Sequence, residues 1–459
     1  MYRQLAEAIV EGRLREGEAL PSTRELARQL GVSRTTVTVA YDRLLSEGFT
    51  VARPGAGTFV AQARATTTLR RAPRGGTVAP RPIWASIDES LTTHSPVAYD
   101  FAIGVPDARL FPLEKWRRNV ARELQPGAAL LAGYGRSEGH PPLRAAIARR
   151  IGLSRAVRAG EDDVIVTSGA QQAFDLVARV LVAPGDVVAM EDPGYPPIRS
   201  LLETYGARVV GVRVDADGIV VGEIPHRVKL VYTTPSHQFP TGVRMSLARR
   251  RELLDWATVN NSVIIEDDYD SEFHYGDRSL DPLQSLDRAG RVIYIGTFSK
   301  TLLPSLRIGF VVAPAALQPA LASAKRLVDW HSDTVTQAAL ARLIDDGSFA
   351  AHVRRANRVY SDRRARVLVS AARDLSRWVT VVPSVAGLHL FAEFLPGVML
   401  RGATVSRAAL AEGIGIQSVA AFSTVENPRE GFVIGFGAIE ASHINDGIRR
   451  LATVLTRLT

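Results

Sequence analysis

Between Val164 and Lys300 the chain carries five short apolar runs: VIVTSG (164–169), VVAME (187–191), LVYTTP (230–235), VIIEDDY (263–269) and VIYIGTFSK (292–300). All are rich in β-branched residues, and none alternates apolar with polar. A strand with one wet face alternates, whereas a strand covered on both faces does not. Helical patterns separate the runs. Repeated βα units of this kind predict an α/β domain built on a mostly parallel sheet, extending over residues 96–459. Open sheets of this class bind ligands beyond the carboxyl ends of their strands, so the residues just past each run are the first candidates for chemistry.

Lys300 stands at the end of the last run. It is one of only four lysines, with Lys115, Lys229 and Lys325, so few residues compete for a nucleophilic amine. Thr297 and Ser299 beside it offer hydroxyls, and Arg307 offers a two-pronged anion clamp. By itself, a lysine in a helix-start loop is equally an ordinary surface residue. The fourth run ends in Glu266, Asp267 and Asp268, which need a cation, a metal or solvent. Ser168, Gly169, Ala170 and Gln171 open a helix with free backbone N–H groups. Such a start binds anions but is also a common βα turn. Tyr195 follows Asp-Pro-Gly and is either a stacking ring or part of a plain turn. His237 is a ligand or structural, and the structural reading is preferred. These are the kinds of part that pyridoxal 5'-phosphate (PLP) requires: a lysine for its aldehyde, an acid for its ring nitrogen, a ring-oxygen partner, a stacking aromatic and a phosphate cradle. The cofactor reading takes Lys300 as the Schiff-base lysine, Asp267 at the ring nitrogen, Tyr269 at the ring oxygen and Tyr195 against the ring, with Gly169, Ala170, Gln171, Thr297, Ser299 and Arg307 around the phosphate. No one of these elements suffices by itself.

Residues 1–62 follow a different plan. A first amphipathic helix spans Tyr2–Glu11. Ser22 and Glu25 have capping-box spacing and predict a helix start, with Leu26 and Leu30 on the buried face. Gly31 ends that helix, and Ser33 caps the next, whose apolar stripe is Val37, Ala40, Leu44 and Leu45. Helix, short turn, helix is the helix-turn-helix arrangement, in which the second helix offers its N-terminal residues to the major groove. Those residues are Arg34, Thr35 and Thr36. Two short strands around Pro54–Gly57 form a wing that places Arg53 at the DNA backbone or minor groove.

Residues 63–95 are rich in Thr, Pro, Gly and Arg with little periodicity, and are expected to be a linker. The net charge of +9 is weak evidence for a polyanion partner, because residues 1–62 hold eight Arg against seven acids. With no cysteine there is neither a disulfide nor a thiolate metal site, and no metal is expected. The amphipathic, acid-bearing start lacks the features of a signal peptide, and no apolar stretch is long enough to span a membrane. The cytoplasm is the expected location.

The first segment resembles the winged helix of GntR-type bacterial transcription regulators. The resemblance rests on Leu20-Pro21-Ser22-Thr23-Arg24-Glu25-Leu26-Ala27, Gly31-Val32-Ser33-Arg34-Thr35-Thr36-Val37 and Gly57-Thr58-Phe59-Val60. It implies that Arg24, Ser33, Arg34, Thr36 and Gly57 lie at the DNA. The motifs SGAQQA, EDPGY, TPSHQFPTG, EDDYDSEF and TFSK with Arg307 resemble, in order, fold type I (class I) aminotransferases, and specifically the MocR branch of GntR regulators. That branch joins a winged helix to an aminotransferase-like domain. Two departures from working aminotransferases stand out. Phe239 replaces an Asn that touches the ring oxygen, and Val433 stands where an Arg would clamp a substrate carboxylate. GABA-responsive members carry another Arg where this chain has Pro197, and Arg199 or Arg429 are the candidate substitutes. The resemblance implies a homodimeric PLP-binding regulator of double-stranded operator DNA, sensing PLP itself or a small amine or amino acid through Lys300. The alternatives are an active aminotransferase with an appended DNA-binding head, and a domain kept only as scaffold.

Overall fold

The computed structural model describes residues 1–61, 77–85, 87, 97–125, 133–276, 280–426 and 428–459. Most of the expected linker at 63–95 lies outside the described residues. The chain divides into two compact units, Met1–Arg81 and Pro82–Thr459.

The first unit contains helices α1 (Tyr2–Val10), α2 (Thr23–Leu30) and α3 (Arg34–Ser46), then an antiparallel hairpin of β1 (Thr50–Arg53) and β2 (Gly57–Val60) in which Arg53 faces Gly57. The Ser22 hydroxyl accepts the N–H of Glu25, and the Ser33 hydroxyl accepts that of Thr36. Each satisfies a backbone donor that the helix start leaves free. Gly31 sits at φ +63°, the left-handed conformation that lets α2 stop and turn into α3. The core gathers Ile9, Leu20, Ala27, Val37, Tyr41, Leu44 and Val60. Two residues expected in it are not there, since Leu30 is 53% and Leu45 43% exposed. On α3 the buried row is Val37, Ala40, Tyr41 and Leu44, and Leu45, one step beyond Leu44, is turned about 100° out of it. Leu30 is the last residue of its helix and lies past the edge of the core.

The second unit opens with a single 3-10 turn, Pro82–Ala85, followed by β3 (Tyr99–Asp100), α4 (Leu113–Glu123) and α5 (Pro141–Arg155). Its central part comprises β4 (Val164–Thr167), α6 (Ala170–Leu181), β5 (Val187–Asp192), α7 (Pro196–Thr204), β6 (Arg208–Asp215), β7 (Gly218–Ile219), β8 (Leu230–Thr233), α8 (Leu247–Val259), β9 (Val263–Asp268), α9 (Leu283–Leu286), β10 (Val292–Thr297) and β11 (Gly309–Val312). Next come α10 (Gln318–Asp329), α11 (Thr334–Asp345) and the long α12 (Ser348–Asp374). The C-terminal part holds β12 (Val379–Val381), β13 (His389–Phe394), α13 (Gly402–Ala411), β14 (Ile414–Gly415), β15 (Gln417–Ser418), β16 (Gly431–Gly435) and α14 (Ala441–Leu458).

Eight strands form the main sheet in the order β4-β11-β10-β9-β8-β5-β6-β7. All run parallel except β11, antiparallel to both its neighbours, and the short β7. Every residue of β4, β8, β10 and β11 is buried, which is why their sequences do not alternate. Tyr232 and Ile265 join one apolar cluster with Phe174 of α6 and Ile198 of α7. Their chain neighbours Val231 and Ile264 join another, with Leu253 of α8 and Leu283 of α9. Successive residues of a strand point to opposite faces, so helices cover both sides. A four-stranded antiparallel sheet, β12-β13-β16-β15, packs with α12, α13 and α14 around a further core. No helix among the described residues is long and apolar enough to cross a membrane.

Candidate cofactor cavity and nucleic-acid face

At the carboxyl ends of β4, β9 and β10 the second unit encloses a cavity of about 640 Å³. Ala170, Gln171, Tyr195, Asp267, Tyr269, Thr297, Ser299, Lys300 and Arg307 all line it. Gly169 adjoins it, since a Cβ there would lie 2.6 Å from the Arg307 guanidinium. Every residue singled out around the PLP site therefore converges on one place. Arg307 donates to the Ser168 carbonyl at 3.0 Å, which sets its guanidinium over the start of α6. There the macrodipole and the free N–H groups favour an anion. The Thr297 and Ser299 hydroxyls are 3.0 Å apart, and Thr297 also accepts the Ser299 N–H.

The acidic trio separates by role. Glu266 accepts the backbone N–H groups of Leu283 and Gln284 at 2.9 Å. Asp268 pairs with Arg155 at 3.0 Å and accepts the Tyr294 hydroxyl. Asp267 alone faces the cavity. Its Oδ2 accepts the Tyr232 hydroxyl at 2.7 Å, while its Oδ1 is buried without a partner among the described residues. Burial pushes the Asp267 carboxyl up to about 7, with Asp268 and Asp270 adding to the rise and the Tyr232 hydroxyl and Lys300 opposing it. A cation at Oδ1 would remove that penalty. Burial pushes the Lys300 ammonium down, against Asp270 and Asp267. Lys300 makes no ion pair among the described residues, whereas Lys325 is fixed by Asp329 and Lys115 by Asp346.

The Tyr269 hydroxyl donates to the His237 carbonyl at 3.0 Å and lies 3.1 Å from Nδ1 of the same residue. That ring is buried, bonded to Asp270 at 3.1 Å and packed 4.5 Å from His389. His237 thus supports Tyr269 from behind and does not line the cavity. In the first unit, Arg24, Ser33, Arg34, Thr35, Thr36, Arg53 and Gly57 are all exposed. Arg34 reaches the Thr23 hydroxyl at 3.4 Å, bridging the starts of α2 and α3, and Arg53 lies over the Phe59 ring at 4.7 Å.

Residues 97–430 match the family "Aminotransferase class I and II", and residues 1–60 match "Bacterial regulatory proteins, gntR family". The chain is 36% identical to the probable rhizopine catabolism regulatory protein MocR of Rhizobium meliloti, over 100% of this chain and 93% of that protein. The chain belongs to the MocR-type branch of the GntR superfamily. A second MocR-type relative, the pyridoxine biosynthesis regulator PdxR of Corynebacterium glutamicum, is 31% identical over 85% of this chain and 81% of its own. The aminotransferase-like unit resembles kynurenine aminotransferase of Pyrococcus horikoshii, solved in complex with PMP, at a TM-score of 0.75 and 27% identity, covering 82% of this chain and 97% of that one. This MocR-type chain is thus a DNA-binding transcriptional regulator with a fold type I aminotransferase-like domain, and its cofactor is PLP. The cavity fits that group: an unpaired buried carboxylate oxygen, an uncommitted lysine and an arginine over a helix start face one space. The sequence did not point to Tyr232, which orients Asp267, nor to Ile103, Gly104, Gln417 and Phe422, which are also part of the wall.

Proposed function

We propose that this MocR-type regulator senses a small molecule in the cavity and changes its hold on operator DNA. When bound, PLP supplies an aldehyde carbon that captures primary amines reversibly. Lys300 would hold that carbon through its amine. Asp267, oriented by Tyr232, would hold a proton on the ring nitrogen. Tyr195 would cover the ring, and Tyr269, braced by His237, would meet the ring oxygen. Arg307, the start of α6, Thr297 and Ser299 would bind the phosphate. The ligand is PLP itself or a small amine or amino acid. Residues 1–62 bind DNA through Arg34 to Thr36 and the Arg53 wing, residues 63–95 link, and residues 96–459 dimerise and sense. The protein acts in the cytoplasm as a homodimer, which suits two half-sites.

One observation carries the sensing reading: the lysine and the acid that PLP needs meet in one cavity of a chain whose first unit is a gntR-type head. An active aminotransferase with an appended head is disfavoured by Phe239, which lines the cavity in edge-to-face contact with Tyr195, where an enzyme places an amide. Incubating purified protein with an amino donor and a keto acid tests this. The expected result is a coloured protein without sustained turnover, and many cycles per protomer would establish the enzyme instead.

A further inference from the structure

We infer that the effector captured beside the cofactor is a primary amine with an apolar body and no carboxylate. The inference rests on the cavity being the PLP site of the proposal above. Tyr195, Phe239 and Phe422 form a continuous aromatic wall, with ring centroids 5.3 Å apart for Tyr195–Phe239 and 5.1 Å for Phe239–Phe422, both edge to face. Ile103 and Val105 join this wall on either side of Gly104. A Cβ on Gly104 would lie 2.9 Å from Lys300 Nζ, so this apolar segment passes directly beside the lysine amine. A ligand whose amine takes the place of the Lys300 amine therefore lays its body against hydrocarbon and aromatic surface.

The cations point the same way. Among the described residues lining the cavity, only Lys300 and Arg307 are basic, and Arg307 is committed to the Ser168 carbonyl over the start of α6. Neither candidate substitute for a carboxylate clamp reaches the cavity. Arg199 lies 3.5 Å from Asp192. Arg429 makes two bonds, of 2.7 and 2.8 Å, to Glu393 and lines a separate cavity of about 570 Å³. Gln417, a neutral polar residue in the wall, stands opposite Val433 in the β15–β16 ladder. Among the described residues of one protomer, an ionised carboxylate buried here would find no arginine clamp and only the displaced Lys300 amine as a cation, and burying one poorly paired is unfavourable. An amine lacking that group loses nothing by the same burial.

Calorimetric titration of the PLP-loaded full-length protein with 2-phenylethylamine and with L-phenylalanine isolates the point, because the two differ only by the carboxylate. The expected result is binding of the amine at least about tenfold tighter, the equivalent of about 1.4 kcal/mol. Gln417→Arg, which sets a guanidinium in the wall, is expected to reverse or erase the preference. Equal or tighter binding of L-phenylalanine by the wild type would overturn the inference while leaving the cavity an amine sensor. No heat from either compound, with PLP present by its absorbance, would overturn both the inference and amine sensing, and would leave PLP as the signal. A protein that takes up no PLP would instead sink the underlying proposal.

Discussion

Asp267 illustrates how one buried atom ties fold to function. Oδ2 is satisfied by Tyr232 and Oδ1 by nothing among the described residues. In cofactor-free protein the folded carboxyl keeps its proton up to about 7, whereas the unfolded one ionises near its ordinary value of about 4. Between those values the folded state binds more protons, so stability falls as pH rises, and the loss is complete above pH 7. Cofactor-free Asp267→Asn is therefore expected to be more stable than wild type at pH 8, by about 1–4 kcal/mol. The difference should shrink toward pH 4 in denaturant titrations. The same variant is expected to bind PLP at least about tenfold more weakly, because the partner of the ring nitrogen is gone. Weaker stability at pH 8 with unchanged PLP affinity would remove Asp267 from this role.

Among the elements, the start of α6 and the start of α3 are those proposed to carry the two functions. Gly169 is at φ +79°, and a side chain there would press into Arg307. Gly169→Ala is expected to lower PLP affinity at least about tenfold in an absorbance titration while far-ultraviolet circular dichroism stays unchanged. Undiminished affinity would mean that Arg307 and this helix start do not bind the phosphate. Ser33→Ala removes the cap of α3 and is expected to cost about 1 kcal/mol, seen as roughly fivefold faster amide exchange at Thr36. These elements were legible in the sequence because each announces itself locally. The strands are unalternating β-branched runs, the caps are Ser22 and Ser33, and the chemistry sits just past each strand. Leu30 and Leu45 were misplaced because apolarity alone does not say where the edge of a small core falls. Ile103, Gln417 and Phe422 were illegible for another reason. They come from a loop after β3, from β15 and from a 3-10 turn, and only long-range packing brings them to Lys300. Tyr232 lay hidden inside a strand whose sequence speaks only of burial.

At the scale of the whole molecule, the proposed function couples a ligand at Lys300 to the hold of the head on DNA. Arg34→Ala is expected to abolish preference for the promoter region beside the protein's own gene over random DNA, leaving a weak, salt-sensitive association. Coupling itself requires that the ligand favour one arrangement of the heads, with typical factors of about 5–150 in affinity. Operator affinity of the full-length protein, followed by fluorescence anisotropy with and without PLP and then with added 2-phenylethylamine, measures it directly. The expected result is a change of at least about fivefold on one of these additions, absent in Lys300→Ala. An affinity indifferent to both ligands, or a Lys300→Ala protein that responds as the wild type does, would contradict the account.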